Sequence, residues 1–457
     1  MIVEQYQLAC LSLSSYLIGD EASGKAVVID PQRDIAQYLA DAEARGLTIG
    51  HVLLTHFHAD YVSGHLELAE ATGAEICFGE PAEAEFPIRQ LHDGDRIELG
   101  DVVIETWSTP GHTPESVTYL LFETADAPAP TAIFTGDTLF VNDVGRPDLL
   151  GAIGFTADEL GRKLYHSLGR LTGLPDEVRV YPGHGAGSAC GKALGSEPYT
   201  TIGEQKTANY ALQPMSEDDF VDLVTEGQPA APAYFLHDAI TNRSTHSVFD
   251  QAAQIPALGL DQVDAARAGG AVVVDTRDPA RFASGHLAGA VNVPIDGRFA
   301  EMAGMVVGAD TDVIVAGEAG SEREARTRLG RIGFDRVTGH VADYEAALAA
   351  DPDRAVQAER IPATRVAAEQ ADHSLVLDVR NPGETALGTV PGSTVIPLAA
   401  LPQRIGELDP STRVVVYCAG GTRSSVAASF LRSNGFGDVA DVVGGYDAWS
   451  TLAATGA

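Results

Sequence analysis

The chain has 457 residues, 45% of them hydrophobic, which is enough for about two to four domains with cores of their own. Against 30 Lys and Arg stand 64 Asp and Glu, a formal charge of −34 that argues against nucleic acid or an anionic membrane surface as partner and for a solvated acidic exterior. The four cysteines, Cys10, Cys77, Cys190 and Cys418, lack paired spacing, so neither a disulfide framework nor a zinc ribbon is expected, and a reducing cytoplasm fits best.

In chain order, residues 1–5 carry neither a basic stretch nor an apolar core, so no secretory signal is expected, and apolar runs such as 117–122 fall short of a membrane span. Residues 33–45 show helical spacing at Ile35, Leu39 and Ala42 and stop at Gly46. The run His51-Val52-Leu53-Leu54 reads as a buried strand and residues 62–72 as a helix. Between them lies Thr55-His56-Phe57-His58-Ala59-Asp60-Tyr61, two histidines and an aspartate at the carboxyl end of a strand, where side chains can converge on a metal. The motif does not stand alone. His112 in Thr109-Pro110-Gly111-His112-Thr113, Asp137 in Thr135-Gly136-Asp137-Thr138, and His184 in Tyr181-Pro182-Gly183-His184-Gly185 also follow strand-like runs and turn residues. Residues 102–106 and 117–122 read as strands and 156–171 as an amphipathic helix. Residues 213–255, with Pro214, Pro229 and Pro232, lose clear periodicity and read as a wrapping segment and linker.

Taken together, these motifs, with Asp30 in Val27-Val28-Ile29-Asp30-Pro31, resemble the metallo-β-lactamase superfamily over about residues 1–245. The resemblance implies an αββα sandwich with a metal site at the edge of its two sheets. Two-metal members of that superfamily carry H-x-H-x-D-H, and here Tyr61 replaces the final histidine, which weakens the second ligand set.

Beyond a linker at 246–256, two copies of a repeat of about 100 residues follow, at 257–352 and 358–457. Val272-Val273-Val274-Asp275-Thr276-Arg277 matches Leu375-Val376-Leu377-Asp378-Val379-Arg380, and Gly333-Phe334 matches Gly435-Phe436. Strand and helix alternate in each, so each is an α/β domain around a parallel sheet, and both look like rhodanese domains. In the second copy Val414-Val415-Val416-Tyr417 ends in Cys418-Ala419-Gly420-Gly421-Thr422-Arg423 and enters a helix. Glycines let successive N–H groups point inward, and the helix N-terminus adds positive potential, so the cradle would lower the pKa of Cys418 and stabilise a persulfide or anion. Four residues separate Cys418 from Arg423, where phosphatases of this layout have five. The loop is sized for sulfur. In the first copy the corresponding stretch reads Ala316-Gly317-Glu318-Ala319-Gly320-Ser321, with no cysteine anywhere in the domain, so a structural or docking role is expected.

This order of domains, with Gly145-Arg146-Pro147-Asp148 and residues 183–192, resembles bacterial persulfide dioxygenase–rhodanese fusions. The expected fold class is multidomain α/β and α+β: an αββα sandwich followed by two rhodanese-like domains with parallel sheets. The resemblance implies one Fe(II) per chain held by His56, His112 and Asp137, with His58, Asp60, Tyr61 and His184 near it but not bound to it. Cys418 and Arg423 are the expected catalytic groups of sulfur transfer, Gly420 and Gly421 are expected at substrate, and Arg146 is a candidate for binding the carboxylates of a thiol substrate, with a structural salt bridge as the alternative. Cys190 is a candidate sulfur relay, with a packing role as the alternative. The expected reaction is oxidation of a low-molecular-weight thiol persulfide by O₂ to sulfite and thiol, followed by Cys418-mediated sulfur transfer to sulfite. The product is thiosulfate. The competing expectation is a zinc-dependent thioester hydrolase of the glyoxalase II type joined to a sulfurtransferase. A cytoplasmic homo-oligomer, dimer or tetramer, without nucleic-acid or membrane partners, completes the picture.

Overall fold

Alternation along the strands decides the architecture of the first half of the chain. In the strand Lys25–Ile29 every residue after Lys25 is buried, because Val27 and Ile29 face one core while Ala26 and Val28 face another. In Val117–Phe122 the odd positions Val117, Tyr119 and Leu121 join the first of these cores, and Leu120 and Phe122 join a third. A strand buried on both faces must lie between layers. The computed structural model, which describes residues 1–149, 151 and 154–455, realises this as two stacked six-stranded sheets with helices on their outer faces.

One sheet contains β1 (Ile2–Leu8), β2 (Leu13–Asp20), β3 (Lys25–Ile29), β4 (Thr48–Leu53), β5 (Glu75–Gly79) and β6 (Arg89–Leu91), in that order. The other runs from β12 (Thr200–Thr201) through β11 (Arg179–Pro182), β10 (Ala132–Gly136), β9 (Val117–Phe122) and β8 (Val103–Ser108) to β7 (Arg96–Glu98). The helix expected at 156–171 spans Ala157–Leu171, opened by a reciprocal capping box between Thr156 and Glu159. Its Leu164, Leu168 and Leu171 are buried against the second sheet, each burial contributing about 1.5–3 kcal/mol.

The chain forms two compact units, Met1–Pro229 with Phe235–Phe249, and Ala230–Tyr234 with Asp250–Ala457. The structure corrects the expected boundaries. Residues 246–249 are not linker but part of the first unit: buried Arg33, paired with Glu67 at 3.0 Å, donates to Ser247 O, and Phe249 N donates to Glu67. Pro256 belongs to the second unit, accepting from His340 N at 2.9 Å. The segment 213–255 also contains the helices Glu217–Thr225 and Tyr234–Thr241; Phe220, Val221 and Val224 of the former are buried at helical spacing.

In the second unit each repeat has a five-stranded parallel sheet. The first orders Ala257–Leu258, Val337–Val341, Val313–Ala316, Val272–Asp275 and Val291–Asn292; the second orders Glu359–Pro362, Val439–Val443, Val414–Tyr417, Leu375–Asp378 and Thr394–Val395. Registers correspond, Asp275 lying opposite Ala316 and Asp378 opposite Tyr417. The first repeat runs past the expected 352, because Ala355–Val356 pairs with His286–Leu287 and Ala358 N donates to Ala283 O. Among the described residues no helix is long and apolar enough to cross a membrane.

Candidate metal centre and sulfur-transfer loop

Loops after β4, β8, β10 and β11 carry His56, His58 and Asp60, then His112, Asp137 and His184, all buried. Ligand atoms of His56, His112 and Asp137 lie within 4.8 Å of one another, with Asp137 Oδ2 at 4.0 Å from His56 Nε2 and 3.6 Å from His112 Nε2. The backs of the rings fix their tautomers. His112 Nδ1 donates to Arg146 O at 2.8 Å. Thr55 Oγ1 gives its proton to Asp30 at 2.7 Å, so it accepts from His56 Nδ1 at 3.0 Å. Both Nε2 lone pairs therefore face Asp137, the arrangement by which outer hydrogen bonds prepare metal-ligating histidines. Burial first, then His58, His112 and His184, holds the His56 imidazole well below its ordinary value, which keeps it neutral.

The chemistry of this donor set fits a metal ion. Both carboxylate oxygens of Asp137 are buried without a hydrogen-bond partner, as are Asp60 Oδ1 and His184 Nε2, whereas most buried polar groups in folded proteins are paired. Burial pulls His184 down, yet Asp137 and Asp60 outweigh it and leave its net shift upward, the same field that a cation would answer. Close packing preserves the arrangement: a Cβ on Gly183 would lie 2.7 Å from Asp137 Oδ1, and one on Gly145 would lie 1.8 Å from Asp137 O.

The structure brings His58, Asp60 and His184 together as a second group of donors, where they were expected only as neighbours of the metal. His184 Nδ1 donates to Ser12 O at 3.2 Å, so its Nε2 faces Asp60 and Asp137, each at 3.4 Å. His58 Nε2 lies 3.0 Å from Asp30 Oδ1 without hydrogen-bond alignment. Tyr61 adds no ligand to this group: its ring packs on His58 at 4.4 Å and its hydroxyl donates to Asp30 O at 3.2 Å. Cys190 is buried with its sulfur in ligand range of Asp137 and His184, and burial, then Asp60 and Asp137, pushes its thiol well up.

Of the two readings of Arg146, the structure shows the salt bridge: its buried guanidinium is held by Asp148 at 2.6 and 2.7 Å and donates to Ala189 O and Pro229 O. Its contribution to the site is the backbone carbonyl on His112. Sequence reasoning also missed Asn242, whose amide donates to His58 O and Tyr61 O at 2.8 Å and accepts from Ser63 N. No local signal marks it, since it sits in a stretch without clear periodicity.

In the second repeat Val414–Tyr417 delivers Cys418 to the start of the helix Thr422–Ser433, and Gly421 N donates to its sulfur at 3.1 Å. Gly421 adopts φ +103° at the helix N-cap, a conformation that glycine takes without strain. At Gly420 a Cβ would meet nothing within 4 Å. The following segment braces the loop: Tyr446 N donates to Cys418 O and Asp447 N to Ala419 O, at 2.7 and 3.1 Å. A Cβ on Gly445 would strike Cys418 O at 2.2 Å, a requirement invisible in the motif itself. Arg423 is gripped by Glu384 through two bonds of 2.7 and 2.6 Å, a partner likewise missed. In the first repeat, strand register puts Gly317 where Cys418 stands.

A two-histidine, one-carboxylate centre between two stacked sheets, followed by two parallel-sheet repeats, defines a metal-site domain joined to rhodanese-like modules. The chain belongs to the metallo-beta-lactamase superfamily, whose model matches residues 9–184, and the rhodanese-like domain model matches residues 260–346 and 363–452. It is 32% identical to the mitochondrial persulfide dioxygenase ETHE1 of Bos taurus over 46% of this chain and 75% of that one. It is equally, at 32%, identical to a hydroxyacylglutathione hydrolase of Erythrobacter litoralis over 40% of this chain and 67% of that one. The crystal structure of a metallo-beta-lactamase from Staphylococcus aureus matches with a TM-score of 0.68 at 32% identity, covering 74% of this chain and 98% of that one. Against the beta-lactamase hydrolase-like protein of Xylella fastidiosa, 30% identical over 46% of this chain, the chain spans about half of the relative's length, 52%.

Proposed function

We propose that the first unit oxidises a low-molecular-weight persulfide at a single Fe(II), and that Cys418 transfers sulfane sulfur to the sulfite formed. The observation that carries this reading is one buried, tautomer-fixed set, His56, His112 and Asp137, beside a second group in which Tyr61 contributes no ligand. Two imidazoles and one carboxylate leave coordination positions free for substrate sulfur and O₂. Likeness to the bovine persulfide dioxygenase supports the same reading.

Bound iron supplies the electron exchange between the persulfide and O₂; overall, R–S–SH, O₂ and water give R–SH, sulfite and two protons. The chain's own work is positional. Arg146 O and Thr55 Oγ1 hold the Nδ1 protons, which keeps both Nε2 atoms as lone-pair donors. In the second repeat the Cys418 thiolate attacks the outer sulfur of a second persulfide, and the old S–S bond breaks to release R–S⁻. The Gly421 N–H that now points at the Cys418 sulfur helps to hold that charge. A sulfite lone pair then takes the outer sulfur, Cys418 leaves as thiolate, and thiosulfate departs with no net oxidant consumed.

A second reading, a two-metal thioester hydrolase, is favoured by the His58, Asp60 and His184 group and by the hydroxyacylglutathione hydrolase relative. Anaerobic purification, metal analysis and O₂ uptake on glutathione and coenzyme A persulfides separate the two. The expected result is a single iron per chain with persulfide-dependent O₂ uptake. Two zinc ions, thioester hydrolysis and no O₂ uptake would overturn it.

A further inference from the structure

A buried line of hydrogen bonds joins the cysteine-free repeat to the helix behind the catalytic sulfur. Asn292 ends the edge strand Val291–Asn292 and is fully buried. Its side-chain amide donates to Asp275 O and Arg277 O at 3.1 and 2.8 Å, which fixes its orientation and leaves Oδ1 as an acceptor. Ser425 of the second repeat donates to that oxygen at 2.7 Å. One turn along, Ser429 gives its proton to Val426 O and accepts from Asn292 N at 2.9 Å. Ser425 and Ser429, four residues apart, thus present one face of the helix Thr422–Ser433 to the first repeat. The residue before Ser425 faces the chemistry: Ser424 Oγ lies 3.7 Å from Cys418 Sγ, which also receives the Gly421 N–H at 3.1 Å.

The first repeat's own helix lacks this arrangement. Strand register puts half-buried Val395 where the first repeat has Asn292. Counted from the caps Gly320 and Gly421, Glu324 and Arg328 stand where the second repeat has Ser425 and Ser429, and they pair with each other. For packing alone, apolar side chains of the same size would serve as well as Asn292 and its serines, because desolvation cancels most of each hydrogen bond. What directional bonds add is a single rotational setting of the helix.

We propose that Asn292 is a positioning residue for sulfur transfer: acting through Ser425, it sets the helix rotation at which the Gly421 N–H and the Ser424 hydroxyl converge on the Cys418 sulfur. The inference rests on the reading of Cys418 as a sulfur acceptor and goes beyond it by giving the cysteine-free repeat a part in the chemistry. Ser424 and Ser425 are neighbours about 100° apart around the helix axis, so a rotation that parts Ser425 from Asn292 also carries Ser424 away from the sulfur. Both hydrogen bonds favour the thiolate over the thiol. Losing them makes Cys418 harder to ionise and a poorer leaving group when sulfite takes the outer sulfur.

The test uses the full chain and reads Cys418 twice: by kcat for sulfur transfer from glutathione persulfide to sulfite, and by the pH dependence of its alkylation with iodoacetamide, followed by mass spectrometry of the Cys418 peptide. Asn292→Val and Ser425→Ala should each lower kcat about tenfold and move the alkylation profile up by about one pH unit, the loss of one hydrogen bond to a charged group. The double variant should be no worse than either single one, because both cut the same bond. Val263→Ala, a cut in the core of the first repeat, should lower Tm and leave both readouts unchanged. Should Asn292→Val fail to fold, Ser425→Ala, which removes only a hydroxyl, carries the same comparison. Wild-type kcat and an unmoved profile in a folded Asn292→Val or Ser425→Ala variant would overturn the proposal. So would Val263→Ala reproducing both changes, since loss of stability would then be the cause. Failure of wild type to transfer sulfur would instead overturn the reading of Cys418 as acceptor; the alkylation comparison needs no sulfur donor and still decides whether Asn292 positions the thiolate.

Discussion

The two rhodanese-like repeats share a scaffold and part at one loop. In each, an arginine folds back on the aspartate two residues before it: Arg277 on Asp275 at 2.6 Å and Arg380 on Asp378 at 2.7 Å. Each guanidinium also reaches a glycine carbonyl, Gly285 or Gly388, and lies over a tyrosine, Tyr344 at 4.5 Å or Tyr446 at 3.9 Å. Gly320 and Gly421 cap the next helix in the same left-handed conformation. The nucleophile is missing, Glu322 stands where the second repeat has Arg423, and the first loop has closed over the place of the cysteine. A Cβ on Gly317 would meet Thr276 Oγ1 at 2.1 Å and Ser321 Oγ at 2.6 Å. Folding maintains the buried ion pair in both copies, whereas only chemistry maintains the space around a cysteine.

The largest expected effect breaks the comparison at its point of difference. Cys418→Ser should lower sulfur transfer to sulfite on the order of 10³-fold or more, while Ser321→Ala in the first repeat should change it less than about twofold. Comparable losses in both would mean that the first loop takes part. Next comes the shared scaffold: Arg277→Ala and Arg380→Ala should each destabilise the chain by roughly 3–5 kcal/mol, because a buried carboxylate is left unpaired. Denaturant unfolding checks this, and an effect confined to one repeat would end the claim of equivalence.

Gly317→Cys should not convert the first repeat into a second transferase. Overpacking against Thr276 should instead cost about 1–3 kcal/mol, with no added transfer in a Cys418→Ser background. Measurable transfer by that double variant would show that the first cradle had stayed open. The smallest effect is a pH dependence. Burial opposes ionisation of Glu384, yet Arg423 and then the Asn381 amide outweigh it and hold the carboxyl below its ordinary 4.5. Its contribution to stability is therefore present above about pH 4.5 and lost as pH falls through the depressed value. The Tm difference between wild type and Glu384→Gln should shrink on acidification below that point; a difference that grows there would contradict the pairing.

Much of the site was legible because its parts are local. Each metal-facing residue follows a strand-like run and a turn, and β3 and β9 alternate so regularly that burial on both faces follows. The supports were not legible, because they come from far along the chain. Asn242 anchors the loop of His58 and Tyr61 across 184 and 181 residues, and Glu384 meets Arg423 across 39. For Arg146 the motif left substrate contact and a salt bridge both open, because it records only the charge, while burial beside Asp148 makes it a brace. The helix Glu217–Thr225 was hidden by the prolines around it, although Phe220, Val221 and Val224 carried its period.

The most direct measurement gives one pulse of glutathione persulfide to anaerobically prepared, iron-loaded protein, wild type and Asp137→Ala, and follows iron content, O₂ consumption and sulfur products together. The account predicts that wild type consumes O₂ and accumulates thiosulfate, whereas Asp137→Ala binds no iron and consumes no O₂. With sulfite added, the variant should still form thiosulfate through Cys418. Undiminished iron and O₂ consumption in Asp137→Ala would contradict it.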